Sequence, residues 1–342
     1  MLAWVGGINH HHFKFDHVKS RRQSGSAFKP FVYAAALESG MEPCDYQRNI
    51  LSVYTDYEEW TPRNTGDEYG GRFSLQAALA QSINTIAVNL ALETGISEIQ
   101  QLSAELGIRS LIPPEPSIAL GTADISLLEM AGAYTAFANA GVPAAPRIIT
   151  SIYTADGEKI YDFSDDTESE PEPVISEETA AAMVQMLSKA VDNGTGRHLR
   201  QTYGIRHAVA GKTGTTQNFA DGWFLGMTPD LVFGSWVGGS IPRVRFSGNM
   251  GYASQTALPI AGNFLNNLKT YADLEPQKAN FYPHQTNTSY NLACEDYLDD
   301  RRRDRFRDFV TGRNSDDPRE VNGEKEESRN VIQRVRRFFS RD

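Results

Sequence analysis

Residues 208–239 read AVAGKTGTTQNFADGWFLGMTPDLVFGSWVGG, and this stretch decides the fold class. Glycine, proline and aspartate residues divide it into successive apolar segments that are each long enough for a strand: AVAGKTGTT, DGWFLGMTP and LVFGSWVGG. Strands that follow one another through such short connections pair in antiparallel fashion. We therefore predict an antiparallel sheet whose first strand carries Lys212, Thr213, Gly214 and Thr215.

The first of these strands has a pattern suited to holding a peptide. Alternation directs Lys212 and Gly214 to one face of the strand. It directs Thr213 and Thr215 to the other face, unless the strand is an edge whose twist opens both. Since Gly214 has no side chain to block a close approach, an extended peptide can pair along this edge as an added strand. The ammonium and the hydroxyls then receive a terminal carboxylate.

Upstream of the sheet, the sequence predicts a helical region. A helix is expected from Ser26 to Glu38, ending at Gly40, because its residues are rich in alanine and aromatics. The chain before it, residues 2–9, has the pattern of the end of a strand closed by a Gly-Gly pair. Further elements are expected as follows: helices over 74–80, 85–93, 98–106, 126–139 and 177–191, and a β-hairpin over 148–161.

Two short motifs in the helical region supply acyl-transfer chemistry. Ser26 and Lys29 stand at i and i+3, on one helix face, where a lysine with a lowered pKa can accept the proton of a serine nucleophile. The apolar residues after Lys29 favour a buried lysine over one on a polar surface. Ser82 and Asn84 flank a helix break and bring a hydroxyl for proton relay and an amide for substrate binding. Backbone N–H groups of Ser26 and Thr215 can form an oxyanion hole.

Composition excludes several other classes of function. The 342 residues carry a formal net charge of -10, which argues against nucleic acid as a partner. Cys44 and Cys294 lie far apart and match no metal or redox spacing, so we expect neither a disulfide framework nor a zinc site, and no cofactor. No stretch has the roughly 20 apolar residues that span a bilayer, and the start lacks a secretion-signal pattern.

The C-terminal part of the chain has a different character. Residues 275–342 are dominated by charged and amide side chains, so we predict a domain over 1–270 and a charged, largely disordered tail over 271–342. The last residues, NVIQRVRRFFSR, place apolar side chains on one helical face. They fit either a segment that lies on a membrane or a partner, or a frayed and solvated helix.

In chain order, S-x-x-K, S-x-N and K-T-G resemble the signature of serine β-lactamases and penicillin-binding proteins. Longer segments are similar to the transpeptidase domain of class A penicillin-binding proteins, and the resemblance covers residues 2 to about 268. It implies an α+β fold in which an antiparallel sheet packs with helices and a helical subdomain, with the active site between them. The matching segments are RQSGSAFKPFVYAAAL, WTPRNTGDEYGGRFSLQAALAQSINTIAVNLA, ALGTADISLLEMAGAYTAFANAG, GKTGTTQNFADGWFLGMTPDLVFGSWVGG and ALPI.

The resemblance also implies an activity. Members of this family are DD-transpeptidases that cross-link peptidoglycan stem peptides with release of D-alanine, and β-lactams inhibit them covalently; DD-carboxypeptidase is an expected side activity. Full-length members are membrane-anchored, act at the periplasmic face of the bacterial cytoplasmic membrane and carry a glycosyltransferase domain before this one. On that basis the first strand of the domain is expected to be truncated. The implied roles are nucleophile for Ser26, base for Lys29, proton relay for Ser82, substrate binding for Asn84, and carboxylate binding for Lys212, Thr213 and Thr215 beside Gly214.

Two alternatives stay open at this point. A serine β-lactamase uses the same motifs but needs an added glutamate for deacylation in class A enzymes. Glu115 and Glu129 are the glutamates considered for that role, and both lie in segments that resemble the transpeptidase pattern. The other alternative is a non-catalytic scaffold that retains the fold and the cleft.

Overall fold

The computed structural model describes residues 1–11, 14–163, 172–241, 243–268 and 278–299. The helices, in chain order, are α1 (Lys29–Glu38), α2 (Leu75–Gln81), α3 (Asn84–Thr94), α4 (Ile96–Glu105), α5 (Leu127–Ala138), α6 (Glu177–Asp192), α7 (His198–Gln201), α8 (Ala257–Leu268) and α9 (Pro283–Thr286). The strands are β1 (Arg21–Gln23), β2 (Tyr46–Arg48), β3 (Arg72–Ser74), β4 (Asp124–Ser126), β5 (Ser151–Tyr153), β6 (Lys159–Asp162), β7 (Ala210–Thr215), β8 (Asp221–Thr228), β9 (Leu231–Gly238) and β10 (Tyr297–Leu298).

The predicted antiparallel sheet is present as β7-β8-β9, with β7 at one edge. Every residue of β8 is buried, and its side chains alternate between two cores. Trp223 and Leu225 join the large core that contains α1, whereas Phe224 joins a smaller core with α8. The sheet is therefore covered on both faces, and the edge of β7 stays available beside the helices.

The predicted helical region surrounds α1. Residues Lys29 to Leu37 of α1 are all buried, which explains why this helix is apolar all round rather than striped. It packs against α3, α4 and α6, while α6 also packs against β7. The helices expected over 85–93, 98–106, 126–139 and 177–191 are confirmed within a few residues by α3, α4, α5 and α6.

Short sheets connect the helical region to the remaining chain. The hairpin predicted over 148–161 is confirmed as β5 and β6. β1 pairs with β4, and β2 and β10 lie on either side of β3, all in antiparallel fashion. The sequence analysis missed these pairings because strands of two or three residues leave no alternating pattern long enough to recognise.

The strand expected at residues 2–9 is absent from the structure. This segment instead runs as irregular chain, held by a backbone hydrogen bond of 2.8 Å from His17 N–H to the Gly6 carbonyl. A strand needs a partner ladder, and adjacent glycines weaken strand pairing. The prediction was wrong because apolar residues before a Gly-Gly pair were taken as sufficient for a strand.

Residues 278–299 differ from the predicted disordered tail. Cys44 and Cys294 form a disulfide with a Cα–Cα distance of 5.7 Å, which corrects the expectation of no disulfide framework. Tyr290 and Leu292 pack against the large core, and β10 follows them. The rest of the tail, including the amphipathic end, lies outside the described residues. None of the helices in the described ranges is long and apolar enough to cross a membrane.

Candidate active site

Ser26 lies on a short 3-10 turn, Gly25–Phe28, that leads directly into α1. Its side chain is half-buried, and side chains from other elements donate hydrogen bonds to the backbone carbonyls in and just before the turn. The Tyr134 hydroxyl donates to the Ala27 carbonyl at 2.6 Å. The Trp223 indole N–H donates to the Gln23 carbonyl at 2.8 Å. Ser26 is thus held, half-buried, on a backbone that the core fixes.

Gly214 allows the edge of β7 to touch this turn. A Cβ atom at Gly214 would lie 2.5 Å from the Ser24 carbonyl oxygen and 2.9 Å from the Ala27 nitrogen. The sequence analysis expected Gly214 to permit the close approach of a peptide, and the neighbour that the structure shows there is the turn that carries Ser26. Likewise, a Cβ at Gly25 would lie 2.8 Å from the Thr215 carbonyl oxygen. The two backbones are therefore in direct contact.

The edge of β7 presents free backbone groups at this contact. Thr216 N–H donates to the Asp221 carbonyl on β8 at 3.1 Å, so the 216–221 pair is a hydrogen-bonded pair of the ladder. Hydrogen-bonded and non-bonded pairs alternate in antiparallel sheets. The next pair, Thr215 with Gly222, is consequently non-bonded, and the Thr215 N–H points away from β8. The Thr215 N–H therefore points toward the unpaired edge of the sheet.

Lys29 is buried completely and reaches the α2–α3 junction. Its Nζ donates to the Ser82 carbonyl at 2.6 Å and to Asn84 Oδ1 at 2.7 Å. It also lies 3.2 Å from Ser82 Oγ. The structure therefore joins the first motif to the second through this one nitrogen.

Lys212 approaches the same serine from the sheet. Its Nζ lies 2.9 Å from Ser82 Oγ and 3.1 Å from the Thr213 carbonyl, and the side chain is fully buried. Ser82 Oγ therefore stands between two lysines. Among the described residues, neither lysine has a carboxylate within salt-bridge distance.

Burial without a counter-ion changes the protonation of both lysines. Burial, followed by repulsion from Lys212, holds the pKa of Lys29 well below its ordinary value of 10.5. Burial lowers the pKa of Lys212 to about 7. A neutral amine at Lys29 keeps a lone pair that can accept a proton. Lys29 is therefore a candidate base, and it lies one turn of chain after Ser26, the candidate nucleophile.

Ser82 owes its position to an unusual backbone. It has φ 62° and ψ 39°, in the left-handed region, and it closes α2 before α3 starts at Asn84. The predicted break between the two helices is confirmed. The reversal turns the Ser82 carbonyl and hydroxyl toward Lys29, which an uninterrupted helix would not allow.

Asn84 is held by residues that the sequence analysis did not identify. Its Nδ2 donates to the Arg63 carbonyl at 2.7 Å. Asn64 Oδ1 accepts from the backbone N–H groups of Asn84 and Thr85, at 2.9 and 3.1 Å, and so caps the start of α3. The Asn64 amide in turn donates to Asn49 Oδ1 at 2.6 Å. Asparagines in a polar loop gave no sequence signal for this role.

The two threonines of β7 have different partners. Thr215 Oγ accepts from the Ala253 N–H at 3.0 Å. Thr213 Oγ donates to Thr195 Oγ at 2.6 Å. Thr195 lies in a turn after α6 that the sequence analysis passed over. Hydrogen bonds and backbone contacts therefore bring the predicted site residues together, and Thr195 lies beside them.

A buried ion pair connects the strand before Ser26 to the sheet. Arg22 Nε lies 2.7 Å from Asp221 Oδ1, with both side chains almost entirely buried. The same carboxylate accepts from Trp236 Nε1 at 3.1 Å and from Thr216 Oγ at 3.3 Å. Asp221 on β8 therefore connects β1, β9 and the residue that follows β7, close to the turn that carries Ser26.

Comparison with known proteins agrees with this arrangement. The family described as Penicillin binding protein transpeptidase domain matches residues 5–238. Penicillin-binding protein 1A of Aquifex aeolicus (strain VF5) is 36% identical over 262 residues, which cover 75% of this chain and 35% of the relative. The chain thus spans about a third of the length of the curated relatives it matches.

Solved structures show the same fold. Penicillin-binding protein 1A from Haemophilus influenzae, at 2.6 Å resolution, has a TM-score of 0.73 and 26% identity, covering 86% of this chain and 50% of that one. PonA1 from Mycobacterium tuberculosis in complex with penicillin V has a TM-score of 0.67 and 24% identity, covering 81% and 75%. The predicted fold class is confirmed. Since the family match spans more than half of the chain, the protein belongs to the penicillin-binding protein transpeptidase family.

Proposed function

We propose that the chain is a serine DD-transpeptidase in which Ser26 attacks the carbonyl of a D-Ala-D-Ala terminus. The observation that carries the proposal is the convergence of Lys29 and Lys212 on Ser82, beside the Ser26 turn and at the open edge of β7. Two buried lysines without a carboxylate partner are costly to a fold, and such groups concentrate at functional sites.

In the first step, the Ser26 hydroxyl loses its proton to the neutral amine of Lys29 as Oγ bonds to the substrate carbonyl carbon. The support is the lowered pKa of Lys29, which burial and the Lys212 charge both produce. The carbonyl oxygen gains the electron pair and becomes an oxyanion. The backbone N–H groups of Ser26 and Thr215 are the proposed donors to it, because the two backbones touch and the Thr215 N–H faces the open edge.

In the second step, the bond to the leaving D-alanine nitrogen breaks, and that nitrogen takes up a proton through the Ser82 hydroxyl. Ser82 suits the relay because its Oγ lies within 3.2 Å of both lysine nitrogens. An amine of a second stem peptide then attacks the acyl-enzyme, loses a proton and frees Ser26. Water in place of that amine gives the DD-carboxypeptidase side reaction.

The substrate is proposed to lie along β7 as an added strand, with its terminal carboxylate at Lys212, Thr213 and Thr215 and a peptide amide at Asn84. The Thr215 hydroxyl accepts from Ala253 N–H, so its own proton is free for an anion. Asn84 gives one amide hydrogen to Arg63 and retains one for substrate. The substrate carboxylate would thus accept hydrogen bonds from a charged group, the Lys212 ammonium, and from neutral threonine hydroxyls.

Two glutamates bear on the β-lactamase alternative. Glu129 forms the capping box of α5 with Ser126, and its carboxylate also accepts from Arg109 N–H and from Ser110. Burial raises the pKa of Glu129, but these hydrogen bonds more than offset it and the pKa is lowered. Glu115 is exposed, with Ser117 as its partner at 3.4 Å. Both glutamates are thus accounted for structurally, which favours transpeptidation.

We further propose that the protein works at the outer, periplasmic face of the cytoplasmic membrane, as a domain of a membrane-anchored protein. The Cys44–Cys294 disulfide supports an oxidising compartment, since cytosolic thiols are kept reduced. Peptidoglycan stem peptides are found in that compartment, and β-lactams reach it from outside.

A fluorescent penicillin tests the acyl-transfer proposal directly. The protein is incubated with the probe, denatured and separated by electrophoresis, with Ser26→Ala as the test variant and Ser97→Ala, on α4, as the matched control. We expect a covalent band in the wild type and in Ser97→Ala, and no band in Ser26→Ala. An unlabelled wild type that is folded by circular dichroism would favour the scaffold. Rapid turnover of penicillin without a persistent band would favour the β-lactamase.

A further inference from the structure

The loop before β3, residues 61–71, is held to the start of α3 by the side chain of Asn64. Residues 65–68 of this loop are exposed, whereas Asn64 is half-buried. An asparagine amide has two donor hydrogens and two acceptor lone pairs, and Asn64 uses all four. Its partners, at 2.6 to 3.1 Å, are Asn49 Oδ1, the Glu68 carbonyl and the N–H groups of Asn84 and Thr85. Asn64 therefore connects an exposed loop to the helix that begins at Asn84.

The orientation of the Asn64 and Asn84 amides is decided by backbone groups that can act in only one way. A backbone N–H can only donate, so Asn64 turns its oxygen toward α3. The Arg63 carbonyl can only accept, so Asn84 turns Nδ2 toward it, at 2.7 Å. Asn84 Oδ1 is then left facing Lys29 Nζ, also at 2.7 Å. The loop and the start of α3 thus hold each other reciprocally, each through a side chain on the backbone of the other.

This orientation decides what the lone pair of Lys29 can do. A neutral lysine amine has two N–H groups and one lone pair. The Ser82 carbonyl and Asn84 Oδ1 can only accept, and they lie 2.6 and 2.7 Å from Nζ, so they take both N–H groups. The lone pair is left for a proton donor, which in the proposed mechanism is the Ser26 hydroxyl. An Asn84 amide turned the other way would donate from Nδ2 to that lone pair and block it.

We propose that Asn64 is a positioning residue for the base, because it fixes the Asn84 amide with its oxygen toward Lys29 and so keeps the lysine lone pair free. Asn49 supports Asn64 from behind, since it is buried and its oxygen also accepts from the Thr85 hydroxyl at 2.8 Å. The inference rests on the proposed transpeptidase function, since it concerns how the base takes up the proton of the nucleophile.

The first test measures the kinetics of acylation by a fluorescent penicillin in Asn64→Ala. We expect the maximal acylation rate to fall about 10- to 100-fold, the effect of misplacing a catalytic group by about 1 Å. The half-saturating penicillin concentration should change less than about threefold, and labelling should still reach completion, because the loss is in the chemical step. An unchanged maximal rate would overturn the proposal.

A double-mutant cycle with Asn84→Ala separates positioning from a general structural role. If Asn64 acts through the Asn84 amide, its loss has little left to disturb once that amide is absent. Asn64→Ala should therefore slow the maximal rate by less than about threefold in the Asn84→Ala background. Equal factors in the two backgrounds would show that Asn64 acts only on the fold, and would overturn the proposal.

Two further variants complete the test. Ser176→Ala removes the cap of α6, where Ser176 Oγ accepts from Thr179 N–H at 3.1 Å, and it should leave acylation unchanged, as a control for losing a helix cap. Asn64→Gln keeps an amide but displaces it by one carbon, so it serves if Asn64→Ala does not fold. We expect a loss of about threefold or more for Asn64→Gln, again absent in the Asn84→Ala background, and no loss would overturn the proposal.

The two proposals fail in different ways. A wild type that labels through Ser26 while the Asn64 variants keep its maximal rate rejects the positioning role and leaves the transpeptidase proposal intact. A folded wild type without labelling at Ser26 rejects the transpeptidase proposal itself.

Discussion

Replacing Lys212 by methionine removes a buried charge while keeping a side chain of similar length. Lys212 is fully buried, and burial lowers its pKa from 10.5 to about 7. Between these values the unfolded chain binds a proton that the folded protein has released. Stability therefore rises with pH in this window, and below about pH 6 both states hold the proton and the contribution is constant.

The size of the effect follows from the pKa difference. Full linkage of one proton corresponds to about 1.4 kcal/mol per pH unit. At pH 7 the folded and unfolded states differ by about half a proton, and by pH 8 they differ by nearly one. From pH 7 to pH 9, Lys212 should therefore raise the wild-type free energy of unfolding by about 2 kcal/mol. Lys212→Met loses this rise.

Urea unfolding at pH 7, 8 and 9, at constant ionic strength, measures the difference between variant and wild type. We expect the stability of Lys212→Met relative to the wild type to fall by about 2 kcal/mol across the range. Lys29 is present in both proteins, so the comparison isolates Lys212 and its coupling to Lys29. Leu258→Ala, which removes no titratable group, should differ from the wild type by a constant amount. A constant difference for Lys212→Met as well would refute the reasoning.

Three further predictions concern the cleft and its supports. Lys29→Met should slow penicillin acylation by about 10²- to 10⁴-fold in stopped-flow labelling, because the base is lost, and unchanged kinetics would remove Lys29 from that role. The Cys44→Ser, Cys294→Ser double variant should lose about 2–4 kcal/mol in urea unfolding, and the reduced wild type should match it. Asp221→Asn should cost about 3–5 kcal/mol, since buried Arg22 loses the carboxylate that its Nε contacts and keeps only the interaction with Asp124. Arg22→Met added to Asp221→Asn should restore part of that loss, and no restoration would contradict the pairing.

Much of the site could be predicted because each motif combines its chemistry with a local backbone requirement. Ser82 and Asn84 interrupt an otherwise apolar helix, and Gly214 lies where a side chain would clash with the turn that carries Ser26. Long elements such as α6 and β8 carry enough apolar residues for their period to be read. These features are properties of consecutive residues, so a sequence displays them directly.

The missed features depend on contacts between distant residues. Cys44 and Cys294 are separated by 250 residues, and nothing near either cysteine indicates its partner. Thr195 reaches Thr213 only because the chain after α6 returns past α2, and Asn64 contacts the start of α3 although 20 positions of sequence, including β3 and α2, separate it from Asn84. The strand expected at residues 2–9 failed for the complementary reason, since a local pattern was present but this segment pairs with no strand among the described residues.

The disulfide also orders events during biosynthesis. Cys294 leaves the ribosome 250 residues after Cys44, and β10 follows it to complete the sheet that precedes α2 and Ser82. Until then, the nascent chain already contains all three motifs but exposes a free thiol and an unpaired strand edge at β3. A chain that stops before Cys294 would keep the free Cys44 thiol and the unpaired edge of β3, and would be open to mixed disulfides and edge-to-edge aggregation.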